Sequence, residues 1–343
     1  MSATTLSGRV GGLLDLLGRA WAARRRTLPP VAAVVIFVGM LAYGEIAYGR
    51  ILQYNTLSNL LINNAHLVLI AVGMTFVILM GGIDLSVGAV IAFSSVAGVM
   101  LVNAGWNPWL VAVLMVAMGA GFGLVSGTLV QRFKVQPFIA TLATMFLARG
   151  LAAMLSTEPE RLPADSPLRL LHHNVKLIDG PRVNDLVVTP NVVIAALVVA
   201  AAVFVLHRTR TGRTVYAIGG SEQSALLMGL PVGRTKVLAY VISGSLAGLA
   251  AVVYTSRLGA AQNITGIGWE LDAIAATVIG GTLLTGGAGY VLGSVVGALV
   301  LGLMTVLITR DGGIPPEATT IITGGVLLVF VLLQRGLIGR RRE

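Results

Sequence analysis

Residues 73–93, GMTFVILMGGIDLSVGAVIAF, place two glycines and a carboxylate between two apolar runs. An apolar helix needs about 20 residues to cross hydrocarbon, and the runs on both sides extend to about that length. Gly81-Gly82 can end one helix, because glycine enters the left-handed conformation freely. Asp84 can then accept hydrogen bonds from the free N–H groups that begin the next helix. The stretch therefore predicts two membrane-buried helices with a polar break between them.

The composition of the whole chain is that of a membrane protein. Of the 343 residues, 56% are hydrophobic and 11% are charged, and the mean hydropathy is +0.88. A soluble domain carries about 25% charged residues. Apolar blocks of about 17–25 residues recur, whereas the alternating segments of an outer-membrane barrel are not seen in the sequence. We predict an all-α, polytopic transmembrane helical bundle.

The apolar blocks predict about ten spans. They lie at residues 31–49, 60–81, 85–103, 108–130, 137–156, 191–207, 237–256, 270–286, 289–309 and 318–335. The eighth is the weakest, because its apolar part is short and glycine-rich and could form a re-entrant or broken helix buried in protein. The exact span count near 258–290 stays open.

The basic residues account for the net charge of +10 and collect on one side of these spans. That side holds Arg24–Arg26, Arg132 with Lys134, the arginines of 208–236 and the arginines after 334. Cytoplasmic loops favour Lys and Arg, so we predict that this side is cytoplasmic and do not expect nucleic-acid binding. Residues 1–30 and 339–343 then form cytoplasmic tails around a membrane domain over 31–338. Arg149, near the outer end of the fifth span, is expected to extend toward that surface.

Two hydrophilic segments separate the spans. Residues 157–190 contain five prolines and balanced charge, which favours an external loop over a folded domain. Residues 208–236 include SEQSALLMGL (221–230), a run of helix-forming residues that ends at Gly229 with Pro231 just beyond. This run predicts a short amphipathic helix outside the bilayer, on which a soluble partner could dock.

Glycine spacing suggests an internal duplication and close helix packing. GGIDLSVG (81–88) aligns without gaps on GGTLLTGG (280–287), and interrupted helices in corresponding positions of two halves mark the pathway of many transporters. Small residues four apart allow two helices to approach closely. They occur at Gly119/Gly123/Gly127, Gly244/Gly248 and Gly293/Gly297.

Five polar residues near the spans each have a structural and a pathway interpretation, and both stay open. Asp84 could cap a helix or contact a solute, because a carboxylate at membrane depth is costly. Glu270 and Asp272 could meet the positive end of a helix dipole or line the mouth of a pathway. Asn63 and Asn64 could bind the hydroxyl groups of a solute or make interhelical hydrogen bonds.

The sequence lacks the motifs of an ATPase or a hydrolase. A Walker A loop needs Gly-Lys-Ser/Thr, but the chain's lysines, Lys134, Lys176 and Lys236, do not follow a glycine. HExxH and GxSxG motifs do not occur, and there is no cysteine. We expect neither catalytic nor metal-binding residues and no cofactor. Any ATP hydrolysis would then belong to a separate chain.

Three stretches carry a specific resemblance to a known family. They are GMTFVILMGGIDLSVG (73–88), TRTGRTVYAIGGSEQSALLMGL (209–230) and GIGWELDAIAATVIGGTLLTGGAGYVLGSVVGALVLGL (266–303). They resemble the permease subunits of bacterial ABC importers for monosaccharides, the ribose/xylose/galactofuranose group. The likeness runs from about residue 31 to 338. Within the group, the galactofuranose permeases look most similar.

This resemblance implies a non-catalytic subunit of the bacterial inner membrane, with both termini cytoplasmic. It would pair with a second permease chain, identical or different, sit on a cytoplasmic ABC ATPase and receive sugar from a periplasmic binding protein. Residues 219–230 would be the helix that contacts the ATPase. The candidates for this contact are Glu222, Leu226, Met228 and Gly229. A stand-alone secondary transporter or channel for small polar solutes is the alternative.

Overall fold

The computed structural model describes residues 31–178, 185–313, 315 and 318–339. Within them the helices are α1 Val31–Tyr48, α2 Tyr54–Leu79, α3 Val87–Asn103, α4 Pro108–Gln131, α5 Pro137–Leu155, α6 Pro190–Arg208, α7 Arg210–Gly220, α8 Glu222–Leu227, α9 Val232–Leu258, α10 Trp269–Ile279, α11 Val291–Asp311 and α12 Ala318–Gly339. The predicted tails, 1–30 and 339–343, lie outside the described residues except for residue 339.

Seven of the helices in the described part of the chain are long and apolar enough to cross a membrane, namely α1, α2, α4, α5, α6, α9 and α11. α3 is apolar but shorter, and α12 contains the apolar stretch Ile321–Phe330. The polytopic helical bundle is therefore confirmed. The eighth block is a broken helix, the alternative that its sequence left open, and not a continuous helix over 270–286, because α10 ends at Ile279 and the next helix begins only at Val291.

α4 and α9 pack backbone to backbone along glycines on both helices. A Cβ on Gly119 would overlap the carbonyl oxygen of Gly244, and a Cβ on Gly123 would overlap that of Tyr240. Gly248 meets the Met115 carbonyl in the same way. Only residues without side chains allow this approach. The close packing predicted from the glycine spacing is confirmed, and we call this contact the glycine seam.

α2 and α10 end in the same local structure. In each, a glycine with positive φ follows the last helical residues, Gly81 at +76° and Gly281 at +90°. The N–H of this glycine donates to the carbonyl three residues earlier, and the next N–H donates to the carbonyl five residues earlier. This pair of bonds is a Schellman motif. The structure thus pairs Gly81 with Gly281, one residue away from the pairing with Gly280 that the gapless alignment gives.

The segment between α5 and α6 has short elements tied to the bundle. β1 (Glu160–Arg161) pairs antiparallel with β4 (Ala260–Ala261), and β2 (Val175–Ile178) pairs with β3 (Leu186–Val188). A 3-10 helix, Pro167–His172, lies between β1 and β2. Leu168 of this helix is buried and, like Leu162 after β1, belongs to the core of the bundle. The described part of this loop therefore packs on the helices.

Candidate functional site

Asp84 lies in the break between α2 and α3 and is fully buried. One carboxylate oxygen, Oδ1, accepts from the backbone N–H of Ser86 at 3.0 Å and from its hydroxyl at 2.6 Å. The other, Oδ2, accepts from the hydroxyl of Ser243 on α9 at 2.7 Å. α3 begins at Val87, directly after these bonds. The carboxylate thus fixes the start of α3 and joins it to α9.

Arg149 on α5 binds a segment that is not helical, residues 259–268. Its Nη1 donates to the carbonyl oxygens of Asn263 at 2.6 Å and Thr265 at 2.7 Å. The side chain thus binds the protein itself, and its expected extension to the membrane surface stays a prediction. The residue lies about 9 Å from the end of α5, at 1.5 Å per residue. The carbonyls of Asn263 and Thr265 lie outside regular structure and are therefore free to accept from it.

Residues 259–268 connect the end of α9 to the start of α10 and pass the start of α3. Gly266 packs directly against the backbone of Gly88 in the first turn of α3. Gly268 adopts a left-handed φ of +86° immediately before α10 begins. The segment therefore re-enters the bundle, and the N-terminal ends of α3 and α10 lie side by side inside it.

Glu270 and Asp272 occupy the first turn of α10, where the sequence places them. The Oε2 atom of Glu270 lies close to Gly88 and has no hydrogen-bond partner among the described residues. Glu270 interacts electrostatically with Arg149 and with Asp272. We call these three residues the charged cluster. Charged groups inside a membrane face protein or a water-filled cavity rather than lipid.

The two asparagines have different surroundings. The Asn64 amide donates to the Leu60 carbonyl at 2.7 Å and fills the space over Gly302 of α11. Asn63 is exposed, and its carbonyl accepts from Arg257 at 3.0 Å. Asn64 therefore packs between helices, whereas Asn63 lies at an open surface.

Three aromatic rings lie next to the charged cluster, and two of them, Tyr254 and Trp269, were not among the sequence candidates. His66 stands 4.5 Å from Trp269 and 5.2 Å from Tyr254, measured between ring centroids. Trp269 immediately precedes Glu270 in α10. The three rings belong to α2, α9 and α10, so only the tertiary structure brings them together.

The segment expected to contact an ATPase forms two helices, because Ser221 separates α7 from α8. The Ser221 hydroxyl accepts from the N–H of Ser224 at 3.2 Å and caps α8. α8 ends at the predicted stop, with Gly229 at a φ of +71°. Of the predicted contact residues, Glu222 is bound to Lys236 in a 2.6 Å ion pair.

The end of α8 presents three consecutive large apolar side chains to solvent. Leu226 is 56% exposed, Leu227 84% and Met228 65%. We call these residues the α8 surface. Leu227, the most exposed of the three, was not among the sequence candidates. Ala225 beneath them is fully buried and anchors the helix.

A cavity of about 380 Å³ lies between α8 and the break after α2. Its wall includes Gly82 at the break, Glu222 of α8 and Tyr240 of α9. Two of the three lysines of the chain, Lys134 and Lys236, also face it. The α8 surface and the break are therefore close to the same end of the bundle.

Comparisons with known proteins show the family of the chain. A family model described as "Branched-chain amino acid transport system / permease component" matches residues 56–331. The fructose import permease protein FruG of Bifidobacterium longum is 51% identical over 312 residues, which cover 91% of this chain and 92% of that relative. The Escherichia coli inner membrane ABC transporter permease protein YjfF is 40% identical, covering 91% of this chain and 93% of that relative. The E. coli ribose import permease protein RbsC is 35% identical, covering 97% and 99%. No solved structure shows a significant match.

Proposed function

Since the chain belongs to the family of transport-system permease components and is the permease component of a carbohydrate ABC importer, we propose that it forms the pathway of a monosaccharide importer. An ATPase bound at the α8 surface would drive the transport. The observation that supports this most strongly is the exposure of Leu226, Leu227 and Met228 at the end of α8, a helix that shares a cavity wall with the break after α2. A patch of consecutive exposed apolar residues marks a protein interaction site. Permease components of this kind are non-catalytic, so the energy of transport enters from a bound ATPase.

We propose fructose as the first sugar to test. The 51% identical relative is a fructose import permease, whereas the ribose import permease is 35% identical. Galactofuranose, favoured by the resemblance of sequence stretches, is the second candidate, and a ribose- or xylose-type sugar is the third. The periplasmic binding protein that delivers the sugar contributes to this choice as well.

The second permease chain would cover the face that carries the charged cluster. Glu270, Asp272 and Arg149 are half-buried at membrane depth in the single chain, and lipid is an unfavourable neighbour for such groups. On the same helix as Arg149, Phe138 and Phe146 are 53% and 65% exposed. A second copy or a related chain packed here would enclose a polar pathway, and apolar side chains such as Phe138 and Phe146 would form the contact around it.

The α8 surface would face the cytoplasm. Exposed arginines lie near the same end of the bundle, at Arg132, Arg208 and Arg234, and cytoplasmic segments favour basic residues. Both termini would then be cytoplasmic in the bacterial inner membrane. The loop 157–190 would lie on the periplasmic side, where the binding protein docks.

Reconstitution tests this function directly. The chain is incorporated into liposomes with its ABC ATPase and sugar-binding protein, and uptake of labelled fructose, galactofuranose and ribose is measured. We expect uptake of one sugar that stops when a non-hydrolysable nucleotide replaces ATP. Accumulation of sugar by the chain alone under a proton gradient would contradict the proposal and support a secondary transporter.

A further inference from the structure

The two similar glycine-rich breaks contact each other at one point. The N–H of Gly287 donates to the carbonyl oxygen of Leu79, the last residue of α2, at 2.9 Å. A Cβ on Gly286 would lie 2.8 Å from the backbone nitrogen of Gly81. The break after α2 and the break after α10 therefore share a backbone contact.

The end of α7 lies against this same contact. A Cβ on Gly219 would overlap both the Leu79 carbonyl and the Gly287 nitrogen. Its neighbour, Gly220, has open space where a Cβ would stand. The need for glycine at 219 therefore comes from the contact and not from helix termination. We call Leu79, Gly81, Gly219, Gly286 and Gly287 the glycine junction.

Tyr216 provides a second link from α7 to the break after α10. It precedes Gly219 by three residues, and its hydroxyl donates to the Gly289 carbonyl at 2.8 Å. Burial raises the pKa of Tyr216 to about 12, so the hydroxyl remains a donor at neutral pH. The His207 ring lies within 6.4 Å of Tyr216 and 6.2 Å of Tyr290 at the start of α11.

We propose that Gly219 and Tyr216 are positioning residues that transmit displacement of the α8 surface to both breaks at once. This inference rests on the proposed function, because it requires a partner that moves α8. One residue, Ser221, separates α8 from α7, so α7 follows α8 closely. Atoms in van der Waals contact resist compression steeply. A backbone contact at Gly219 therefore passes on a small shift that flexible side chains would absorb.

The experiment uses the complete complex with the ATPase and the binding protein, in liposomes. Gly219→Ala and Tyr216→Phe are compared with Gly220→Ala, the matched control at an exposed position outside the α8 surface. The readouts are sugar transported per ATP hydrolysed, ATPase binding and thermal unfolding. We expect Gly219→Ala to lower the transport ratio by about tenfold and Tyr216→Phe by about two- to tenfold, the value of one hydrogen bond. Gly220→Ala should match the unmodified chain.

The outcomes separate the two proposals. If Gly219→Ala and Tyr216→Phe both retain the transport ratio of Gly220→Ala, the positioning role is wrong while the proposed function stands. Should Gly219→Ala fail to insert, Tyr216→Phe decides, because it removes one hydroxyl and keeps the ring. A fall in stability with an unchanged ratio indicates a structural role and overturns the inference. If the unmodified complex shows no ATP-driven uptake, the proposed function fails and the inference fails with it.

Discussion

The hydroxyl of Ser243 donates a 2.7 Å hydrogen bond to Oδ2 of Asp84, a residue 159 positions earlier in the chain. Together with the two bonds from Ser86, it gives both oxygens of a fully buried carboxylate partners inside the protein. A buried charge is stable only when it is hydrogen-bonded or paired. The side chain of Asp84 therefore links the break between α2 and α3 to α9.

We expect Asp84→Ala to destabilise the chain by about 1–3 kcal/mol, because the Ser86 N–H and hydroxyl and the Ser243 hydroxyl would lose their acceptor. Asp84→Asn keeps one oxygen for Ser86, and its amide can donate to Ser243, so its stability should change little. Thermal unfolding in detergent measures both variants. Loss of uptake in Asp84→Asn with unchanged unfolding would show that the charge itself takes part in transport.

Arg149→Lys should reduce sugar uptake by about tenfold while ATPase binding is unchanged. One guanidinium nitrogen, Nη1, holds both the Asn263 and the Thr265 carbonyl, and its N–H groups are fixed in the guanidinium plane, whereas an ammonium is a point donor on a flexible chain. Uptake as a function of sugar concentration is the measurement. Arg132→Lys, at an exposed position, is the control. Equal uptake in the two variants would show that the re-entrant segment does not need this anchor.

Leu227→Asp should weaken binding of the ATPase by at least about tenfold, or about 1.4 kcal/mol, since it would bury an unpaired carboxylate in an apolar contact. Leu227 is 84% exposed, so the fold of the chain alone should not change. Co-purification with the ATPase and thermal unfolding are measured together. Gln223→Ala, on the same helix and exposed, should bind normally. If Leu227→Asp also binds normally, the α8 surface does not form the contact.

Gly229→Ala should uncouple transport from ATP hydrolysis. The cause would be backbone strain at the end of α8, because a φ of +71° costs an L-residue about 1–2 kcal/mol. There is space for a Cβ at this position, so a clash does not contribute. Gly229→Asn should be milder, since asparagine adopts the left-handed conformation more readily. Uptake per ATP should therefore rank Gly, Asn, Ala in descending order. The reverse order of Asn and Ala would exclude helix termination as the cause.

Gly123→Ala should lower the unfolding temperature and the yield of folded protein, because its Cβ would enter the Tyr240 carbonyl at the glycine seam. Overpacking of this kind typically costs about 1–3 kcal/mol. Gly121→Ala, two residues away on the same helix with open space around it, is the control. It should be neutral or slightly stabilising, because alanine favours helices. Equal unfolding temperatures would argue against tight packing between α4 and α9.

The sequence predicted those features that depend on local pattern. Apolar block length located the long helices, and glycine spacing located the seam, since both signals lie within one helix. The stop after α8 followed from Gly229 and Pro231. The acids of α10 also fell in its first turn as expected, because dipole preference is a local effect.

The remainder depends on contacts between distant parts of the chain. The sequence does not show that Ser243 is the partner of Asp84, or that Gly219 meets Leu79 and Gly287. Nothing in the sequence around Arg149 indicates that its partners are the carbonyls of Asn263 and Thr265. For the eighth apolar block the sequence left a full span and a broken helix open, and the positive φ values of Gly281 and Gly286 divide it.

The glycine seam has a consequence for how such a transporter can open and close. With backbone touching backbone from Gly119 to Gly123, α4 and α9 cannot slide or rotate past one another without collision. We therefore expect the pair to move as a single rigid body during the transport cycle, with the hinges in the non-helical stretches that flank α3 and α10.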